Sequence, residues 1–224
     1  MKQNVAIYIW PNMTMMDALG PHQILGYMEE FNVYTFAKTK DPIKSDTGMT
    51  LVADYDLTDF PQPDILIAAG GANPLSEMAD EAVITAFRKA GENAGHVTSV
   101  CSGALILAEA GLLNGYKATT HWAFKHLLRQ YKEIEVIDER VVADRNRLTG
   151  GGVTAGIDFA LTLINRVISP EAAMTAELVF EYRPEPPMGT GSPAVAPAPI
   201  REHVEGLITA MSSGLPEFVA ASNA

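Results

Sequence analysis

Short aliphatic runs alternate with longer amphipathic ones along the chain. The run "VAIYIW" (5–10) predicts a buried strand, and "FNVYTFA" (31–37) predicts a second. "GMTLVADYDL" (48–57) predicts a strand or a hairpin arm, and "DILIAAGG" (64–71) a strand that ends in two glycines. "HVTSV" (96–100) is the next strand. "YKATTHWAFKHLLRQY" (116–131) reads as a short strand and a helix, and "ERVVADRNRLTGG" (139–151) as two arms around a turn. Between them lie helical patterns at 20–30, with Pro21 in the first turn, and at 80–94 and 102–113. Two further helices follow, broken at Ser169-Pro170. Buried strands alternating with helices are the pattern of a mostly parallel sheet covered on both faces. Residues 183–199 hold six prolines and cannot be helical. A helix over 200–213 and a frayed tail complete the chain. The expected division is one domain over 1–200, followed by a C-terminal helix and tail over 201–224.

Composition changes this picture little. The 224 residues are 47% hydrophobic, enough for one large core. Charge changes it more. A formal net charge of -11 repels phosphate backbones, so nucleic acid is excluded as a direct partner. No apolar run reaches the roughly 18 residues of a membrane span, and the N-terminal run is too short for a signal peptide. A single cysteine fits a reducing compartment. The expectation is a cytoplasmic protein.

That cysteine, Cys101, stands where the strand "HVTSV" meets the helix "SGALILAEAGLL". In parallel α/β sheets the carboxyl ends of the strands carry the sites. Ser102 and Gly103 keep the corner small, and a helix start favours thiolate, which predicts a pKa below the usual value of roughly 8.5. A buried cysteine acting as a small hydrophobe is the competing reading. Asp17, in "MTMMDALGP", follows the first strand and reaches the same sheet edge. It is either a helix cap or a carboxyl whose proton is held beside the thiol. His121 in "TTHW" lies at another strand end, as a structural or a functional histidine. Gly70 and Gly71 offer backbone N–H groups in the manner of an oxyanion site. Gly150, Gly151 and Gly152 offer theirs close to a ligand or nucleophile, since their spacing misses the dinucleotide fingerprint. The other histidines show no ligand spacing, so neither metal nor cofactor is expected.

Five segments in order, "MDALGPHQIL", "TSVCSGALILAEAGLL", "ATTHWAF", "GGGVTAGIDFALTL" and "EYRPEPPMGTGSP", resemble the ThiJ/PfpI superfamily and, within it, the isocyanide hydratases. The resemblance implies a flavodoxin-like three-layer sandwich related to class I glutamine amidotransferases. It implies Cys101 as nucleophile, Asp17 as partner carboxyl, Ser102 and the loop at 150–152 as parts of the site, and an obligate homodimer. It implies hydration of a small neutral isocyanide without a cofactor. Two positions depart from the superfamily. Ala69 stands where proline is frequent, and Ser102 stands where peptidases carry histidine, which argues against a protease and leaves His121 in second rank. A glyoxalase or stress-protective protein with the same thiol is one rival. A ligand sensor related to the AraC-type regulators is another; a full regulator would need a DNA-binding domain, and only about 25 residues remain after Pro199.

Overall fold

The computed structural model describes residues 2–223. Its centre is a seven-stranded sheet. The strands are β1 (Gln3–Tyr8), β2 (Phe31–Ala37), β3 (Tyr55–Asp56), β4 (Ile65–Ala68), β5 (His96–Val100), β6 (Val141–Asp144) and β7 (Arg147–Gly150). Across the sheet the order is β6-β7-β5-β4-β1-β2-β3. Every pair is parallel except the β6–β7 hairpin, which turns through Arg145 at φ 51°. The aliphatic runs seen in the sequence form the middle of this sheet. β4 is buried at every position, because helices cover both faces.

One face carries α1 (Met15–Gly26), α4 (Ala155–Val167) and α5 (Pro170–Val179), and α1 packs on α4. The other carries α2 (Glu81–Asn93) and α3 (Gly103–Glu109). The break between α4 and α5 falls where the sequence puts it. Ser169 caps α5 by accepting the Ala172 N–H, and Pro170 occupies the first turn. The flavodoxin-like sandwich with a mostly parallel sheet is thus the architecture observed. No helix among the described residues is long and apolar enough to cross a membrane.

The run over 48–57 splits into two short strands, Thr50–Leu51 and Tyr55–Asp56, and the helix expected before residue 131 is only a 3-10 turn, Trp122–Phe124, followed by the single turn Lys125–Leu128. Other elements shift their ends. α1 begins at Met15 rather than near residue 20, so Pro21 lies inside the helix and Asp17 sits in its first turn instead of in a loop. α3 stops at Glu109, and the chain turns off at Gly111 with φ 73°. The expected frayed end instead forms α7 (Leu215–Ser222), after α6 (Ala198–Met211). Leu215 and Val219 are fully buried and anchor it. The periodicity of eight residues is too short a signal to show this, because the partner surface is supplied by distant parts of the fold.

The parallel register sets the position of the site. Tyr8 is level with Ala68, Ala68 with Ser99, and Val100 with Gly150. Four strands therefore end in line. The segments leaving them, around Met13–Asp17, Gly70–Gly71, Cys101–Ser102 and Gly151–Val153, converge on one edge.

Candidate active site

β5 delivers Cys101 into that edge with φ 57°, a left-handed conformation that β-carbon sterics disfavour. Three interactions hold it there. Its N–H lies 2.9 Å from the Gly151 carbonyl and 3.1 Å from that of Gly150, and its own carbonyl accepts the Thr120 hydroxyl at 2.8 Å. The corner also demands a residue without a side chain. A β-carbon on Gly103 would collide with the Ala68 carbonyl, and one on Gly70 would lie 2.5 Å from the Ser102 nitrogen. Cys101 thus stands at a strained strand-to-helix corner, between His96–Val100 and Gly103–Glu109.

Asp17 is fully buried on α1, and neither carboxyl oxygen has a hydrogen-bond partner. The β-carbon position of Gly70 is only 2.9 Å from its Oδ2, so the carboxyl sits against the Gly70 backbone. Burial pushes its pKa up to about 7; the nearby Cys101 thiol and the Gly70 amide lean toward it and oppose the rise without completing a hydrogen bond. The thiol is affected in the opposite way to the sequence expectation. The N–H groups of Ser102 and Val153 favour thiolate, as a helix start should. Burial and the neighbouring Asp17 charge outweigh them, and the Cys101 thiol is raised well above its usual range. The helix start does not lower this thiol because the tertiary structure buries the corner too deeply for charge on sulfur to be solvated.

The glycines act differently from expectation. The Gly71 N–H donates to the Ser102 hydroxyl at 2.9 Å, and that hydroxyl donates back to the Gly71 carbonyl at 2.6 Å. Gly71 is thus a clamp on Ser102 rather than an open oxyanion donor, and Ser102 is fully buried. Gly150 and Gly151 supply carbonyls to Cys101, while the Gly151 N–H donates to the Arg140 carbonyl at 2.8 Å. Gly152 makes room for the His121 ring, which a β-carbon there would strike. The donor facing the sulfur from this loop is Val153, one residue beyond the triple glycine.

His121 lines the same cavity as Cys101. Its Nδ1 accepts the Ala123 N–H at 3.3 Å, so the neutral ring carries its proton on Nε2. Burial and Lys125 lower its pKa to about 4, which keeps it neutral at ordinary pH. The cavity at Cys101 measures about 140 Å³ and is mostly apolar, with Ala72, Phe124, Val153 and Ile208 in its wall. Sequence reading missed Val153, Phe124, Thr120 and Ile208. Thr120 and Phe124 flank His121 in "TTHWAF" and were within reach. Ile208 comes from α6, more than a hundred residues from Cys101, and carries no local signal.

Comparison with known proteins agrees with this geometry. The isonitrile hydratase of Pseudomonas putida is 40% identical over 200 residues, spanning 89% of this chain and 87% of that protein. The crystal structure of a ThiJ/PfpI family protein from Pseudomonas syringae superposes with a TM-score of 0.92 at 37% identity, covering 100% of this chain and 91% of that one. The HTH-type transcriptional regulator CdhR of Pseudomonas aeruginosa is 32% identical over 140 residues, 62% of this chain but 41% of the regulator. Residues 3–166, from the first strand through the cysteine corner to α4, match the DJ-1/PfpI family, and the chain belongs to that family.

Proposed function

We infer that this protein is an isonitrile hydratase, which adds water to an isocyanide and releases an N-substituted formamide. The observation that carries the reading is the pair at the sheet edge. A single thiol on a strained corner opens into a small apolar cavity, backed by a carboxyl whose pKa lies near 7. The 40% identity to the Pseudomonas putida hydratase over most of both chains supports it.

The chemistry follows from the pair. The terminal carbon of R–N≡C accepts both a nucleophile and a proton. As the Cys101 sulfur bonds to it, the thiol proton passes through Asp17 to the same carbon, giving a thioimidate, R–N=CH–S–Cys101. Asp17, ionised again, takes a proton from a water molecule as the water oxygen bonds to that carbon. This proton goes to the substrate nitrogen. Collapse breaks the C–S bond, the hydroxyl proton returns to sulfur, and R–NH–CHO leaves. Val153 and Ser102 N–H groups stabilise the sulfur while it carries charge. The neutral His121, with its proton on Nε2, lines the chamber as a donor rather than a charged acid. The apolar wall suits a neutral substrate, and none of these steps calls for a metal or cofactor.

Product analysis tests the reading directly. The protein should convert an isocyanide to the formamide and leave methylglyoxal unchanged, and Cys101→Ser should abolish the conversion. Lactate from methylglyoxal, with no formamide from isocyanides, would move the assignment to the glyoxalase rival.

Assembly as a homodimer belongs to the same reading. Large apolar side chains that face outward concentrate late in the chain: Met174, Leu178, Val179, Met188, Val195, Ile200, Leu207 and Met211 are all exposed. Ile200, Leu207 and Met211 form one stripe on α6. A surface this apolar is characteristic of an interface. A reducing cytoplasm suits a lone thiol that must stay reduced.

A further inference from the structure

The chamber at Cys101 is small. At about 140 Å³ it falls below the roughly 300–1,000 Å³ of ordinary small-molecule sites. A second cavity of about 370 Å³ adjoins it, between the 122–127 turn and the C-terminal helices, with Trp122 and Leu127 on its apolar side and Glu205 and Thr209 on its polar side. Phe124 and Ile208 are shared by both linings.

The two shared residues differ in how firmly they are held. Phe124 is buried, on a short 3-10 turn (Trp122–Phe124) that is capped by the His121 side chain and packed against the His121 ring at 5.7 Å. Ile208 is half-buried on α6, a helix without one buried residue. α6 is tied to the rest of the molecule near its end, where Asn73 donates to the Ser213 carbonyl at 3.1 Å and α7 is buried at Leu215 and Val219. The family match ends at residue 166, so the helix that brings Ile208 to this cavity lies outside the matched part of the chain.

We propose that Phe124 and Ile208 form a partition that sets which isocyanide substituents reach Cys101, with Ile208 as the side that yields. Compact alkyl or cyclic substituents occupy the first chamber. Longer ones pass Ile208 into the second cavity, against Trp122 and Leu127. The substrate assignment rests on the hydratase reading; the partition itself does not. Ile208 is therefore a specificity-determining residue supplied by the C-terminal helix. Trimming or enlarging one aliphatic side chain in an apolar pocket changes discrimination by about 10- to 200-fold.

The test uses two variants and two assays. In the first, kcat/KM is measured for isopropyl and n-octyl isocyanide. Ile208→Ala should raise the octyl-to-isopropyl ratio about 10-fold or more, and Ile208→Trp should lower it by a similar factor. In the second, Cys101, the only thiol in the chain, is alkylated with iodoacetamide and with N-octyl iodoacetamide, and the rate ratio should move in the same directions. The alkylation ratio decides. If it stays within roughly two-fold of the parent in both variants, the partition is overturned whatever turnover does. If it moves while no isocyanide is hydrated by any form, the partition stands and the hydratase reading falls.

Discussion

At the scale of single residues, the Cys101–Asp17 pair is the unit that titrates. Asp17 is held near pH 7 by burial, while burial and the Asp17 charge hold the thiol high. Removing that charge should separate reactivity from turnover. In Asp17→Asn the thiol loses a repulsive neighbour, so iodoacetamide should react with Cys101 faster than in the parent at pH 8. Turnover should fall by about 10²–10⁴-fold, because amide cannot shuttle a proton. Parallel loss of both would mean that Asp17 only shapes the pocket. In the parent, kcat/KM should rise with pH through about 7, as the pair passes from two protons to one. The same shift enters stability. Above about pH 4 an unfolded chain has ionised this carboxyl, whereas folded Asp17 keeps its proton until about pH 7. The folded state binds the extra proton across that window, so stability falls as pH rises through it, by on the order of 4 kcal/mol at most. Asp17→Asn should therefore melt higher than the parent at pH 8, with the gap closing toward pH 4. An equal gap at both pH values would show that the carboxyl is not raised.

At the scale of elements, the strand-to-helix corner works because two glycines let backbones touch. Gly103 has its missing side chain directed at the Ala68 carbonyl of the neighbouring strand, and Gly70 at the start of α3. Backbone cannot move aside as a flexible side chain does. Gly103→Ala should cost at least about 3 kcal/mol, the upper part of the range for overpacking, read as a fall in the urea midpoint. Gly115→Ala is the useful contrast: nothing lies within 4 Å of its β-carbon position, so only the φ of 75° opposes the change. A smaller loss at Gly103 than at Gly115 would contradict the close approach. The sequence showed the strand, the turn and the helix start here, since each has its own composition. It misplaced the start of α1 because Pro21 reads as a first-turn residue, whereas tertiary packing on α4 carries the helix through it.

At the scale of the whole molecule, the exposed apolar stripe on α6 makes the assembly testable. Light scattering at micromolar concentration should report a dimer, and Leu207→Asp should shift it toward monomer, since a charge in an apolar interface is desolvated without a partner. A monomeric parent would refute the interface. The alternation of aliphatic runs with amphipathic helices by itself determined the parallel sandwich, because burial on both faces forces that pattern. Parallel topology then placed Cys101, Asp17 and both glycine loops at one edge, since all follow strand ends of the central sheet. What the tertiary structure alone decided depends on distance and depth. The raised thiol comes from burial, which no local window contains. The turning of the Gly71 N–H toward Ser102, and the choice of Val153 as the donor to sulfur, are set by contacts between segments far apart in sequence. The place of Ile208 in the cavity lining has the same origin: a helix with little buried surface of its own is placed by its neighbours, and only the folded chain fixes which residue it presents.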